Sequence, residues 1–196
     1  MKKMMFLIFI LVSFAFAKRD TVVMETLVMV TPESTLSVKG TTNINTFACR
    51  YNVNQLKNPI PVFFEKKEDK IIFKKTALIL ENACFDCGGK GINNDFQKLL
   101  KSEEHPKIYL FLKELETKIG SSSKVLAHVD IQIAGITNTY EIPVALVEEN
   151  NMLISGNASI SLKDFKMKPP KKVFGLIEVE DTIEIDFKLV VKEYRP

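Results

Sequence analysis

The chain has 196 residues, 26% of them charged, and its 27 lysine and arginine and 24 acidic side chains give a formal net charge of +3. Residues 1–17 hold two of the lysines and no acid, so the rest of the chain has a net charge of +1. This near balance excludes the clustered basic surface that nucleic acids require, and we expect no nucleic-acid partner. The length suits one domain with a substantial core.

The first 17 residues have the three parts of a secretory signal peptide: two lysines, an apolar run over residues 4–12, and Ala15 and Ala17 just before the cleavage point. We therefore predict that the mature protein comprises residues 18–196 as a single domain, and that it is periplasmic or secreted. No later stretch is apolar for the roughly 20 residues that a membrane-spanning helix needs, so no stable membrane insertion is expected.

Most of the remaining chain alternates apolar and polar residues, which is the pattern of strands with one buried face. Strands are predicted over residues 22–30, 34–39, 62–64, 71–81, 108–112, 125–133, 140–146, 152–160 and 183–191. About eight amphipathic strands joined by hairpin-like turns favour an all-β, antiparallel β-barrel, which leaves no exposed sheet edge. The alternative is a two-sheet sandwich with a filled core, since periodicity does not separate the two.

Two segments depart from this alternation without having the spacing of a helix. Residues 40–51 are rich in Thr and Asn and are expected to form an extended stretch where the wall bends. Residues 161–181 contain Pro169 and Pro170 and have no clear period, so we predict a long loop at one rim of the barrel.

One stretch, residues 85–108, predicts a helix. Its apolar residues fall at i, i+4, i+7 and i+8 and are Ile92, Phe96, Leu99 and Leu100. Asn93 or Asn94 is expected to cap the helix N-terminus, and Pro106 to prevent its continuation. With one apolar face, this short helix is predicted to cap or flank the barrel.

Residues that could serve catalysis or metal binding lack the corresponding motifs. His105 and His128 have neither the spacing nor the cysteine partners of a zinc site, so no metal ligand is predicted. The chain has no Gly-x-Ser-x-Gly elbow and no phosphate-binding loop, and no catalytic residue is predicted. Three cysteines in an exported protein allow one disulfide, and Cys49, Cys84 and Cys87 can pair in three ways. A redox role for the Cys84/Cys87 pair is disfavoured, because Cys84 follows a strand instead of opening a helix.

Four segments together resemble the YceI-like family: GTTNINTFACRY at residues 40–51, FDCGGKGINNDFQKLLKSEEHPKI at 85–108, IAGITNTYEIPV at 133–144 and SLKDFKMKPPKKVFGLIEVEDTIEIDFKL at 161–189. The resemblance runs through nearly all of the mature chain. It implies an extended, lipocalin-like antiparallel barrel in the bacterial periplasm. The lumen of such a barrel holds a polyisoprenoid or another long apolar chain.

The resemblance also implies a disulfide between Cys49 and Cys87, which would bridge the second strand region to the start of the helix and leave Cys84 free. One feature departs from the family pattern. Family members often carry a histidine early in the chain, whereas residues 37–46 contain none. Contacts of that histidine with a ligand head group therefore do not carry over.

The expected function is the non-enzymatic binding and carriage of a long apolar ligand in the barrel lumen. A polyisoprenoid, a quinone-like molecule or an acyl lipid would fit, and no other cofactor is expected. The residues predicted to form the lumen and its lid are Phe96, Leu99, Leu100, Ile108, Leu110, Leu112, Val129, Ile131, Tyr140, Ile142, Val144, Ile154, Gly156, Ala158, Ile185 and Phe187. Small residues among them would leave space that a wholly Leu/Phe interior would not.

Two other functions remain open from the sequence. The first is a structural or interaction module of the cell envelope with a filled barrel core, and the second is an enzyme with a dispersed site. The expected partner is accordingly a hydrophobic small molecule or lipid. A homodimer is the one protein assembly that we include among the expectations.

Overall fold

This computed structural model describes residues 23–116, 124–169, 171–172 and 176–195, and the predicted signal peptide lies outside them. The strands are β1 (Met24–Val30), β2 (Thr35–Thr42), β3 (Thr46–Tyr51), β4 (Ile60–Lys66), β5 (Lys70–Lys74), β6 (Ala77–Glu81), β7 (Phe85–Asp86), β8 (Lys107–Glu116), β9 (Lys124–Ile133), β10 (Ile136–Glu148), β11 (Met152–Ser161), β12 (Lys171–Lys172) and β13 (Ile177–Glu193). One α-helix, α1, spans Lys90–Leu99. Short 3-10 helices span Val53–Gln55, Asn82–Cys84 and Leu162–Phe165.

Eight strands form a closed antiparallel ring in the order β1, β4, β5, β8, β9, β10, β11, β13 and back to β1. The ring closes where residues 28–30 of β1 pair with residues 191–193 of β13. Alternating side chains face the interior, as the sequence pattern requires. The predicted all-β barrel of about eight strands with one short helix is confirmed, and the two-sheet alternative is excluded by the closure.

Two long strands, β8 and β13, each pair with two shorter strands along the same edge. The last residues of β13 close the ring on β1, whereas its residues 179–188 pair with β2, which continues through β3 to β7. Strand β8 is shared in the same way, because residues 107–111 pair with β6 and residues 114–116 with β5. One end of the barrel is therefore extended by the additional strands β2, β3, β6 and β7.

The predictions for the two irregular segments were wrong in part. Residues 40–51 form a hairpin, because the Thr42 hydroxyl accepts the Asn45 N–H at 2.9 Å and closes a turn between β2 and β3. Residues 161–181 are not one open loop. Strand β13 already begins at residue 177, and Leu162 and Phe165 are almost completely buried.

Helix α1 begins earlier than the asparagine cap predicted from the sequence, with Gly89 as its N-cap. The Asn93 side chain has another role, since its Oδ1 accepts the Cys87 N–H at 2.7 Å and its Nδ2 donates to Asp86 Oδ1 at 3.0 Å. These bonds fasten the turn before the helix to the first part of the helix.

A disulfide joins Cys49 of β3 to Cys87 in the turn before α1, and the Cys84 thiol is free. Both findings confirm the pairing that the family resemblance implied. Cys49 is completely buried, so the covalent link runs from the barrel core to the start of the helix.

Candidate ligand-binding site

The barrel encloses a cavity of about 320 Å³ to which all eight strands of the ring contribute side chains. Among the described residues that line it, Thr76 has the one polar side chain, and its hydroxyl accepts the Phe63 N–H at 3.2 Å. The lining therefore offers no titratable group for acid, base or nucleophilic chemistry. Its chemistry is that of an apolar surface, which binds apolar molecules by removing them from water.

Small side chains on two nearby strands help to create the space. Ala127 of β9 and Ala158 of β11 both line the cavity and are buried. An eight-stranded barrel is just wide enough to be filled by its own side chains or to hold one slender ligand. Alanine at these inward positions favours the second outcome.

A smaller cavity of about 70 Å³ lies against helix α1 at the extended end of the barrel. Its lining includes Phe96, Leu99 and Leu100, so the apolar face of the helix forms part of its wall. The Phe96 ring also contacts Phe85 edge-on, with ring centroids 5.2 Å apart. One layer of side chains lines both cavities and consists of Leu36, Leu80, Leu110, Ile131 and Ile185.

Most of the residues predicted for the lumen line one of these cavities. Those lining the larger one are Leu110, Leu112, Val129, Ile131, Ile142, Val144, Ile154, Ala158, Ile185 and Phe187. Those lining the smaller one are Phe96, Leu99, Leu100 and Ile108, together with Leu110, Ile131 and Ile185. Tyr140 and Gly156 line neither.

Residues 162–167, here called the plug, are partly buried at the extended end of the barrel and contact Tyr140. The Tyr140 ring stacks on the fully buried Phe165 with centroids 6.1 Å apart, and its hydroxyl donates to Asp164 Oδ2 at 2.8 Å. Burial raises the pKa of Tyr140, and the adjacent Asp164 carboxylate raises it further. The phenol therefore stays neutral and keeps its hydrogen bond over the ordinary pH range.

Gly156 faces the interior beneath an aromatic ring. A Cβ atom at this position would lie 2.9 Å from Phe187 Cζ and 2.9 Å from the Pro143 carbonyl oxygen. The space beside this glycine is thus occupied by Phe187, which also lines the cavity. Gly156 shapes the lumen indirectly, by letting the ring lie close to the wall.

Sequence reasoning missed the lining residues that come from the early strands. These are Val28 and Val30 of β1, Leu36 of β2, Ile60 and Val62 of β4, Phe73 of β5, and Leu78 and Leu80 of β6. The available signal was weak in two of these strands, because LVMV in β1 is continuously apolar and β4 begins with Ile60 and Pro61. Without clean alternation the inward face of β1 and β4 is not visible.

The described residues contain no helix long and apolar enough to cross a membrane. A family profile, the YceI-like domain, matches residues 64–191 of the chain. A search of curated proteins found no match to the chain.

Solved structures with the same fold come from several bacteria. Burkholderia cenocepacia BcnA is 16% identical, with a TM-score of 0.57 over 82% of this chain and 96% of its own. A polyisoprenoid binding domain from Saccharophagus degradans, implicated in plant cell wall breakdown, is 9% identical, with a TM-score of 0.59 over 86% of this chain and 99% of its own. The Campylobacter jejuni YCEI protein is 20% identical, with a TM-score of 0.52 over 63% of this chain and 74% of its own.

Proposed function

The chain belongs to the YceI-like family, and from this premise we propose that it binds and carries a lipid with a long apolar tail in its barrel, without catalysing a reaction. The Saccharophagus degradans domain with the same fold is described as polyisoprenoid binding, which supports this ligand class here. A polyisoprenoid, a quinone-like molecule or an acyl lipid has the required chain.

The apolar cavity is the observation that carries the proposal. Its volume of about 320 Å³ falls at the lower end of ligand pockets, which span roughly 300 to 1,000 Å³. Residues lining the two cavities extend along β13 from Val179 to Val191, a distance of roughly 40 Å at the usual rise per strand residue. Two apolar cavities that follow one another along the same strand match an extended chain better than a compact polar molecule.

The physical basis of affinity is burial alone. Each methylene group removed from water contributes about 0.8 kcal/mol, so a chain of several carbons can offset the cost of association without any polar contact. The lining holds no charge that would oppose a hydrocarbon. Specificity then comes from the length and width of the lumen.

The proposal also includes export of the protein from the cytoplasm. We assign residues 1–17 as a signal peptide and residues 18–196 as the mature single domain, located in the periplasm or secreted. A buried disulfide between Cys49 and Cys87 is consistent with an oxidising compartment.

Native mass spectrometry of protein purified from its own envelope, followed by lipid extraction, tests the function. We expect a bound species that disappears on denaturation and is recovered as one lipid per chain. Titration of delipidated protein with polyprenyl lipids, quinones and fatty acids then ranks the ligands. Protein that emerges lipid-free and ignores all three classes would overturn the carrier function.

The alternative is an envelope module with a filled barrel. The plug at the extended end favours it, because Leu162, Phe165 and Met167 pack into the barrel and are buried. A module of this kind would carry no lipid in either experiment, and its partner would be another envelope component.

A further inference from the structure

Outside the barrel, three side chains from neighbouring strands bring possible metal ligands together: Glu114 and Glu116 of β8 and His128 of β9. One ligand atom from each lies within 4.8 Å of the others. The His128 Nε2 atom is 3.1 Å from Glu116 Oε1. In a tetrahedral zinc site with bonds of about 2.1 Å, two ligand atoms are roughly 3.4 Å apart, so only small side-chain movements are needed.

A bulge in β8 creates this grouping. The register shifts by one residue between Leu112 and Glu114, so that Glu114 pairs with His128. In an unbroken ladder Lys113 would occupy that position. The bulge therefore places a carboxylate where a cation would have faced the imidazole, and Lys113 instead lies 3.6 Å from Asp130. Bulges of this kind re-aim side chains, often beside functional sites.

The second imidazole nitrogen faces a fourth acidic residue. His128 Nδ1 lies 3.8 Å from Glu141 Oε1, on the adjacent strand β10. Metal-binding histidines commonly direct their other N–H to a carboxylate, which fixes the tautomer and the orientation of the ring. Three paired strands of the ring thus hold the ligands and the orienting group.

The charges around His128 favour a cation. Three carboxylates, from Glu114, Glu116 and Glu141, surround the imidazole, and the Lys70 ammonium lies 3.0 Å from Glu114. With a neutral imidazole this group has a net charge of −2. The Glu114 and His128 side chains are only 22% and 23% exposed, so water screens this charge incompletely.

We propose that Glu114, Glu116 and His128 bind a divalent transition-metal ion, best matched by Zn²⁺, with water at the fourth position. The mixed nitrogen and oxygen donors are those that zinc accepts. The sequence prediction of no metal ligand considered spacing along the chain, whereas these ligands are assembled across strands. The site lies outside the lumen and does not depend on the proposed function.

Titration of the purified mature protein with zinc, measured by calorimetry in a non-coordinating buffer, tests the site. We expect one ion per chain, with saturable binding lost in His128→Ala and weakened about tenfold or more in Glu141→Gln. Lys70→Met should tighten binding, because it removes the ammonium that competes for Glu114. His105→Gln is the matched control and should bind as the wild type does, since His105 packs against Gly135, away from this group.

Circular dichroism and metal-free melting curves verify that each variant folds. Glu116→Gln, a nearly isosteric change of a half-exposed side chain, replaces His128→Ala if the latter is unfolded. Wild-type protein that shows no saturable zinc binding would overturn the proposal. So would equal affinity in the wild type and in the folded variants at positions 116 and 128.

Discussion

At the scale of single residues, Ala158 is one of the small side chains that leave space in the lumen. Its side chain lines the larger cavity, so a longer side chain can enter space that no protein atom occupies. We expect Ala158→Leu to keep or raise the free energy of unfolding while displacing bound lipid. Melting temperature and lipid content, measured on the same sample, check this. Ser159→Leu on the outward face is the control and should retain lipid.

Gly156 lies two residues from Ala158, and a larger side chain there should lower the free energy of unfolding. Its Cβ position is blocked by the Phe187 ring and by the rigid Pro143 carbonyl, both at 2.9 Å. Gly156→Ala is expected to lower the free energy of unfolding by about 1 to 3 kcal/mol, because overpacking forces neighbouring atoms to move. Urea denaturation measures the change. Unaltered stability would mean that the Phe187 ring moves aside at little cost.

The carboxylate of Asp86 gives the turn before α1 a dependence on pH. Hydrogen bonds from Asn93 Nδ2 and the Gly88 N–H, each at 3.0 Å, lower the pKa of Asp86 below its ordinary value. The stabilisation is therefore present above the unfolded-state pKa of about 3.9 and is lost as the pH falls through the lower folded-state pKa. The free energies of unfolding of wild type and Asp86→Ala should differ at pH 7, and the difference should shrink as the pH falls below about 3.9. A constant difference across that range would contradict this account.

At the scale of elements, α1 can be tested as part of the wall of the lumen. Phe96 lines the smaller cavity and contacts Phe85, whereas Lys98 is exposed on the other face. We expect Phe96→Ala to lower the free energy of unfolding by roughly 2 to 3 kcal/mol, below the value for a fully buried ring, and to speed lipid release. Lys98→Ala should change neither quantity. A loss of stability with unchanged lipid retention would make Phe96 an ordinary core residue.

Elements with regular spacing were predictable from the sequence, and irregular ones were not. Ile183, Ile185 and Phe187 alternate cleanly, so β13 and its inward face could be read directly. Leu162 and Phe165 sit among lysines and shortly before two prolines, a composition typical of an exposed loop. Their burial depends on the open end of the barrel they enter, which is a tertiary effect that local spacing does not encode.

At the scale of the whole molecule, the sequence predicted that the sheet closes into a ring but not which two strands close it. Antiparallel alternation favours a barrel, yet the pairing of β1 with the last residues of β13 joins strands more than 160 residues apart. Most lining residues from the late hairpins were found because neighbouring strands there are also consecutive in sequence. Those from β1, β4 and β5 lie on strands that pair with β13, β1 and β8 through non-local contacts, although a turn joins β4 to β5.

The disulfide links the two ends of a 38-residue segment and should stabilise the whole barrel. It joins β3 to the start of α1, so its loss frees a segment that includes β4, β5 and β6 in the unfolded chain. By the loop-entropy estimate, replacing Cys49 and Cys87 with Ser should lower the free energy of unfolding by roughly 2 to 4 kcal/mol. Denaturant melts of the double variant against wild type, both under non-reducing conditions, measure this loss.

Cys84→Ser is the matched control for the double variant, because Cys84 is a free thiol three residues from Cys87. It should cost much less, since it removes no covalent link and exchanges one small side chain for another. Non-reducing peptide mapping of the wild type should recover the peptides of Cys49 and Cys87 joined. A bond between Cys84 and Cys87 would close a loop too short to restrain the unfolded chain appreciably. The double variant would then lose little stability, and both measurements would contradict the anchoring of α1 to β3.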